Sequence, residues 1–306
     1  MRRYAAIDVG TNSVLLLVAE KDAHRRWVPV FERAEITRLG RGVDATKRLS
    51  AESMETTVAV IERFVHDART HEAAQIVVSA TSAARDAVNG REFIDLTRQR
   101  AGVTVEIISG EEEARLSFAS AHADFGGAAP LLMLDIGGGS TELVFGDTNG
   151  GVTFRKSFDV GAVRLTERSV KHDPPHPDEV AAIEALLTQT FASLPSVKPH
   201  TRLIGVAGTA TTVAAVARAI EPYDPEVIHG LELKSAEIDA TVTRLQQLPL
   251  ALRRSLPGLQ PKRADVVVAG SMILQAVMRR TKLPVCTISD RGLRWGLLAD
   301  RFGATA

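Results

Sequence analysis

The chain has 306 residues and carries 37 Lys and Arg against 37 Asp and Glu, so its formal net charge is zero. That balance excludes the overall basic excess of a protein that coats itself in nucleic acid. With 45% hydrophobic and 24% charged residues, global disorder is excluded as well. Cys286 is the only cysteine, so no intramolecular disulfide forms. Set in the apolar run Val285 to Ile288, it reads as a small buried side chain rather than a nucleophile. The N-terminal apolar stretch is broken by Asp8, and Val14 to Ala19 is too short to cross a bilayer. The expectation is a soluble cytoplasmic protein with no membrane partner.

Three strands open the chain: Tyr4 to Val9, Val14 to Glu20 and Trp27 to Arg33 are rich in β-forming residues and separated by polar breaks. Ser50 caps a predicted helix that runs to about Arg69, with Met54, Val58, Ile61 and Val65 at helical spacing. A strand at Ile76 to Ala80, a helix at Glu92 to Arg100, a strand at Val103 to Ile108 and a helix from Gly110 to about His122 follow. The breaker cluster Asp124 to Pro130 marks a domain junction. Beyond it the pattern restarts with strands at Leu131 to Leu134, Thr141 to Phe145 and Val152 to Phe158. Helices at Gly161 to Val170 and Pro177 to Leu194 precede a strand at Arg202 to Val206 and a helix at Thr209 to Ile220. The tail reads as helices at Ser235 to Gln247 and Gly270 to Arg280, a strand at Val285 to Ile288 and a helix at Gly292 to Phe302. Ala264 to Met278 is ambiguous, β-branched in its first half and helical in its second.

The restart is an internal repeat. Ile7-Asp8-Val9-Gly10-Thr11-Asn12-Ser13 matches Leu134-Asp135-Ile136-Gly137-Gly138-Gly139-Ser140 without a gap. A duplicated βββ unit predicts two related α/β domains around a central cleft. They span residues 1–123, with the C-terminal helix (about 292–306) a candidate to pack back on them, and residues 124–291.

The repeated motif suits phosphate. Gly10 and Gly137 permit a tight turn with dihedrals that other residues avoid. Gly137, Gly138 and Gly139 leave backbone N–H groups open to an anion. Thr11, Ser13, Ser140 and Thr141 add hydroxyls, and Asp8 and Asp135 stand where strand meets turn, suited to Mg²⁺ or a water. Glu142 has Leu15 as its counterpart in the first copy, so its carboxylate is not dictated by the strand. Gly208 and Thr209, between a strand and a helix, form a third turn able to aim N–H groups at an anion. Glu111, Glu112 and Glu113 open a helix, where acids favour the dipole, and at most one of them can face a bound ligand squarely. Arg85 is placed to grip phosphate oxygens, and Arg41, Lys262, Arg263 and Arg294 are candidates to lengthen a phosphate track. The eight histidines show no metal-binding spacing.

Ser109-Gly110-Glu111-Glu112-Glu113-Ala114-Arg115 followed by Asp135-Ile136-Gly137-Gly138-Gly139-Ser140-Thr141-Glu142 resembles the exopolyphosphatase/guanosine-pentaphosphate phosphatase (Ppx/GppA) family. Matching segments also include Asp8 to Ser13, Ala80 to Arg85, Gly161 to Leu165, Gly208 to Thr211 and Ser289 to Arg294, so the resemblance spans nearly the whole chain. It implies an actin-like (ribonuclease H-like) fold and Glu113 as catalytic base. It implies Asp135 and Glu142 as the acids that hold Mg²⁺, or Mn²⁺. Asp8, Gly10, Thr11, Asn12, Ser13, Arg85, Gly137, Gly138, Gly139, Ser140, Thr141, Gly208 and Thr209 are then the phosphate- and substrate-binding positions. The implied activity is release of orthophosphate from the end of inorganic polyphosphate, with guanosine pentaphosphate (pppGpp) as the alternative substrate and a homodimer as the assembly. Longer members carry further C-terminal helical domains, whereas this sequence reaches Ala306 just after the core, which implies short chains as substrate. Trp295 stands where many members have an acid. An actin-like kinase and a non-catalytic polyphosphate or alarmone sensor are the rival readings; the Glu113 motif and the short length argue against the first, and the acids at Glu113, Asp135 and Glu142 against the second.

Overall fold

In the computed structural model, which describes residues 2–304, apolar residues of the first strand fall alternately on the two faces of a sheet. The chain divides into two units, one of residues up to Ser120 together with those from Leu293 on, the other of Ala121–Gly292. The first unit opens with β1 (Arg3–Val9), β2 (Ser13–Lys21) and β3 (Trp27–Ile36). Next come α1 (Val43–Thr46), α2 (Ala51–Thr70), β4 (Ala73–Ala80), α3 (Ser82–Asp86), α4 (Gly90–Ala101), β5 (Val105–Ile107) and α5 (Gly110–Phe125). The sheet order is β3-β2-β1-β4-β5, with β1, β4 and β5 parallel to one another, β2 antiparallel to β1, and β3 antiparallel to β2.

Ala5, Ile7 and Val9 pack beside Val58, Ile61 and Phe64 of α2 and Phe93 of α4. Tyr4 and Ala6 point the other way, into a cluster with Leu116 of α5 and with Leu293, Trp295, Leu297 and Phe302 of the C-terminal helix Leu293–Phe302. Trp295 is buried packing in this cluster. The period-two alternation therefore continues to Asp8, which lies on the α5 side. Ser50 caps α2 as expected, accepting from the Ser53 amide.

The second unit repeats the plan. It comprises β6 (Leu131–Ile136), β7 (Thr141–Gly146), β8 (Val152–Phe158), α6 (Ala162–Ser169), α7 (Pro177–Phe191), β9 (Arg202–Val206) and α8 (Ala207–Arg218). These are followed by α9 (Pro225–Ile228), β10 (Glu232–Lys234), α10 (Ser235–Gln247), α11 (Leu250–Arg253), a 3₁₀ turn at Pro261–Arg263, α12 (Val267–Thr281) and β11 (Val285–Ile288). Read from the other edge, its sheet is β8-β7-β6-β9-β11-β10, so its first five strands reproduce the order of the first unit and β10 is added at the edge. The duplication seen in the motif is thus a duplication of topology, and the actin-like α/β plan is present. The ambiguous stretch resolves as helix from Val267, most of it buried among α6, α7, α8 and α10. Here burial overrides the β preference of Val266 to Val268. Among the described residues, no helix is long and apolar enough to cross a membrane.

Gly296 is where the C-terminal helix meets α5. A Cβ there would lie 2.1 Å from the carbonyl oxygen of Leu116. The obstacle is backbone, which cannot swing aside. Gly296→Ala is expected to cost about 1–3 kcal/mol by overpacking. A melting curve should show a drop of several degrees, and an unchanged midpoint would mean that this helix packs less tightly than described.

Candidate active site

The two copies of the motif fold alike to within their hydrogen bonds. Gly10 N–H donates to Ser13 O at 2.9 Å and Gly137 N–H to Ser140 O at 3.0 Å. A Cβ on either glycine would sit 3.1 Å from the same carbonyl. Neither glycine adopts a positive φ, so the expected unusual dihedral is not the reason for glycine here. The reason is the close approach of the Ser carbonyl.

The copies differ in what lies beside the Asp. In the first, Asp8 stands opposite Leu15, and Leu15 opposite Ala34. In the second, Asp135 stands opposite Glu142, and Glu142 opposite Ser157. Directly opposed residues of an antiparallel pair share a face, with Cβ atoms about 4.5–5.5 Å apart. Glu142 is fully buried and Asp135 is 5% exposed. Ser157 Oγ donates to Glu142 Oε1 at 2.7 Å. Two carboxylates so close and so dry repel unless a cation or a proton joins them. Mg²⁺ is commonly held by one or two carboxylates, with water and phosphate oxygens filling the rest of its shell, and the pair fits that demand. Among the described residues, no cluster of three or more His, Cys, Asp or Glu is arranged to hold a metal.

The three-glycine turn is backed by α6. The amides of Ala162 and Val163 donate to Gly137 O and Gly138 O at 3.0 and 2.8 Å, and a Cβ on Gly161 would sit 2.6 Å from the Gly138–Gly139 peptide. Ser140 is buried. The Thr141 hydroxyl, expected among the phosphate donors, donates instead to Val160 O at 2.6 Å and ties β7 to the approach to α6. The third turn also stands close: Asp135 is in register with Val206, the last residue of β9. Ala207 has φ of 65°, a left-handed value uncommon for a residue with a side chain. A Cβ on Gly208 would lie 2.0 Å from Arg263 Nη1, so the end of that side chain rests against the turn. Thr209 is buried against Gly270 of α12.

The first unit brings together the other candidates. Ser109 caps α5, its Oγ accepting from Glu112 N–H and its carbonyl from Glu113 N–H. The three acids then part company. Glu111 is exposed, and Glu112 pairs with Arg115, whose hydrogen bonds hold its carboxyl below the ordinary range. Glu113 is buried, and Arg85 Nη1 donates to its Oε2 at 3.3 Å and to Ile108 O at 3.1 Å. Arg85 sits on the short helix α3. Asp8 is in register with Ser79, two residues before Thr81, and Ala80 with Ile107, so the C-terminal ends of β1, β4 and β5 gather these groups. Thr11 Oγ1 and Ser82 Oγ share a hydrogen bond of 2.7 Å. The carbonyl of Asn12 accepts from Thr37 and Arg38, which pins the first turn from behind. Arg294, a candidate for the phosphate track, is buried and paired with Glu32 at 2.5 Å, a structural ion pair.

Residues 17–304 match the model of the Ppx/GppA phosphatase family. The chain belongs to that family. Exopolyphosphatase 2 of Mycobacterium tuberculosis is 35% identical over 320 residues, covering 99% of each chain. Exopolyphosphatase 1 of the same organism is 30% identical, over 99% of this chain and 89% of its own. The solved Ppx/GppA enzyme of Aquifex aeolicus superposes with a TM-score of 0.83 at 31% identity, covering 98% of this chain and 99% of its own.

In this Ppx/GppA chain, two residues close to the candidate groups escaped the sequence reading as site residues. Ser157 was hidden because its link to Glu142 exists only once β7 and β8 are paired in register. Arg164 lay inside a family segment without a role, and its contact is described below. Cys286 is fully buried and its thiol is pushed up to about 12 by desolvation. At pH 8 the thiolate is about one part in ten thousand, so a disulfide reagent should titrate no thiol in the native protein and one after denaturation. If the Asp135–Glu142 pair holds Mg²⁺, Ser157→Ala weakens that binding about tenfold, by freeing the Glu142 carboxylate to turn. Calorimetric titration checks this, and an unchanged affinity would remove Ser157 from the site.

Proposed function

We propose that the chain is an exopolyphosphatase that hydrolyses the terminal phosphoanhydride bond of inorganic polyphosphate and releases orthophosphate. The observation that carries this reading is the full-length match to exopolyphosphatases, with a buried carboxylate pair beside a glycine turn. The chemistry follows from the residues. Glu113 accepts the proton of the water that attacks the terminal phosphorus in line. Arg85 supplies the cation that makes a buried Glu113 tolerable and grips phosphate oxygens through its remaining donors. Asp135 and Glu142 hold Mg²⁺, or Mn²⁺, directly or through water, with Ser157 fixing the rotamer of Glu142. Bound there, the cation would supply positive charge to offset that of the terminal phosphoryl group. The amides of Gly138, Gly139 and Ser140 bind phosphate oxygens, and the products are orthophosphate and a chain one phosphate shorter. Catalysis of this kind is positioning and charge stabilisation more than covalent chemistry. We place the enzyme in the cytoplasm, as a homodimer.

The test is phosphate release with Mg²⁺ from short-chain polyphosphate, long-chain polyphosphate and pppGpp, each beside Glu113→Gln. The reading predicts fastest release from short-chain polyphosphate, and a loss of about 10²–10⁴-fold in the variant. Preference for pppGpp would transfer the chain to the other activity of its family. Release untouched by Glu113→Gln would sink the assigned base.

A further inference from the structure

A phosphate-binding turn works only if its amides face the ligand, and three glycines in succession do not hold a direction by themselves. In Gly137–Ser140 the direction comes from the carbonyl side. Ala162 N–H donates to Gly137 O at 3.0 Å, Val163 and Arg164 N–H donate to Gly138 O at 2.8 and 3.0 Å, and Arg164 Nε donates to Gly139 O at 2.6 Å. The first amides of α6 are thereby satisfied by the turn and are not themselves open to an anion. None of these peptides is cis. In a trans peptide, C=O and N–H point in opposite directions. Holding the carbonyls of Gly137, Gly138 and Gly139 on α6 therefore turns the amides of Gly138, Gly139 and Ser140 to the other side. Backbone amides of the helix hold the first two peptides. The third, Gly139–Ser140, is held by a side chain.

We infer that Arg164 is a positioning residue of the phosphate turn, acting through the Gly139–Ser140 peptide to aim and polarise the Ser140 amide. This rests on the reading that the turn binds phosphate. Arg164 is buried, and its donor is ionised, so the bond is charge-assisted and stronger than a neutral one. A charge drawing on Gly139 O makes the N–H of the same peptide a better donor to an anion. Its positive charge also lies behind the turn, where it favours the incoming phosphate. Gly161 completes the arrangement, because any side chain there would push the Gly138–Gly139 peptide off α6.

The test is binding of inorganic pyrophosphate in the presence of Mg²⁺, measured by calorimetry, beside phosphate release from polyphosphate. Arg164→Ala should raise the dissociation constant at least about tenfold, the loss expected for a hydrogen bond from a charged donor. Arg164→Lys, which keeps the charge but not the planar donor, should fall between. Guanidinium at low millimolar concentration should restore part of the binding and turnover of Arg164→Ala, a recovery that a merely destabilised fold does not show. If Arg164→Ala does not fold, Arg164→Lys carries the test, with a loss of binding at an unchanged melting temperature as the expected result. Binding within twofold of wild type in a folded variant overturns the proposal, as does a loss that guanidinium leaves untouched. Wild type that binds no pyrophosphate overturns it too. Wild type that binds pyrophosphate yet releases nothing from polyphosphate sinks the hydrolase reading alone.

Discussion

Asp135 and Glu142 face each other across the most buried strand pair of the second unit, and that opposition constrains much around it. Every residue of β6 and β7 is buried. A carboxylate in such a place costs several kcal/mol of desolvation, and a second one opposite adds repulsion. The surrounding residues answer the first cost in part: Ser157 supplies a hydrogen bond to Glu142. The second asks for a cation. On the proposed reading Mg²⁺ supplies that charge, at the position where an anionic substrate needs it.

The duplicated fold shows how one scaffold carries two different sets of side chains. The turns at Gly10 and Gly137 share their hydrogen bond and their steric reason for glycine. Three strands across, the first unit reads Asp8, Leu15, Ala34 and the second Asp135, Glu142, Ser157. Two polar residues replacing two apolar ones turn an ordinary sheet face into a candidate metal site. The first unit puts its chemistry on α5 instead, where helical geometry sends three neighbouring acids in three directions and leaves Glu113 buried on Arg85.

The long elements were legible in the sequence because they are periodic. Helix α2 with its Ser50 cap, α10 and the alternating strands needed no tertiary information. The short ones were not: α1, α3, α9, β10 and α11 have three to five residues, too few to show a period. The turns themselves were legible because the same Asp-x-Gly pattern stands twice, each time between two strands. The bond from the Thr141 hydroxyl to Val160 O was not legible, because only the fold places Val160 beside β7. Ser157 and Arg164 were out of reach for the same reason. Each acts on a partner 15 or 25 residues away, through pairing that the fold creates.

The claim on which the account turns is that the Asp135–Glu142 pair calls for a cation. The direct measurement is the melting temperature with and without Mg²⁺, for wild type and for Glu142→Leu, which writes the residue of the first copy into the second. The account predicts that Mg²⁺ raises the midpoint of wild type and leaves that of Glu142→Leu where it was. An equal rise in both, or none in wild type, would contradict it.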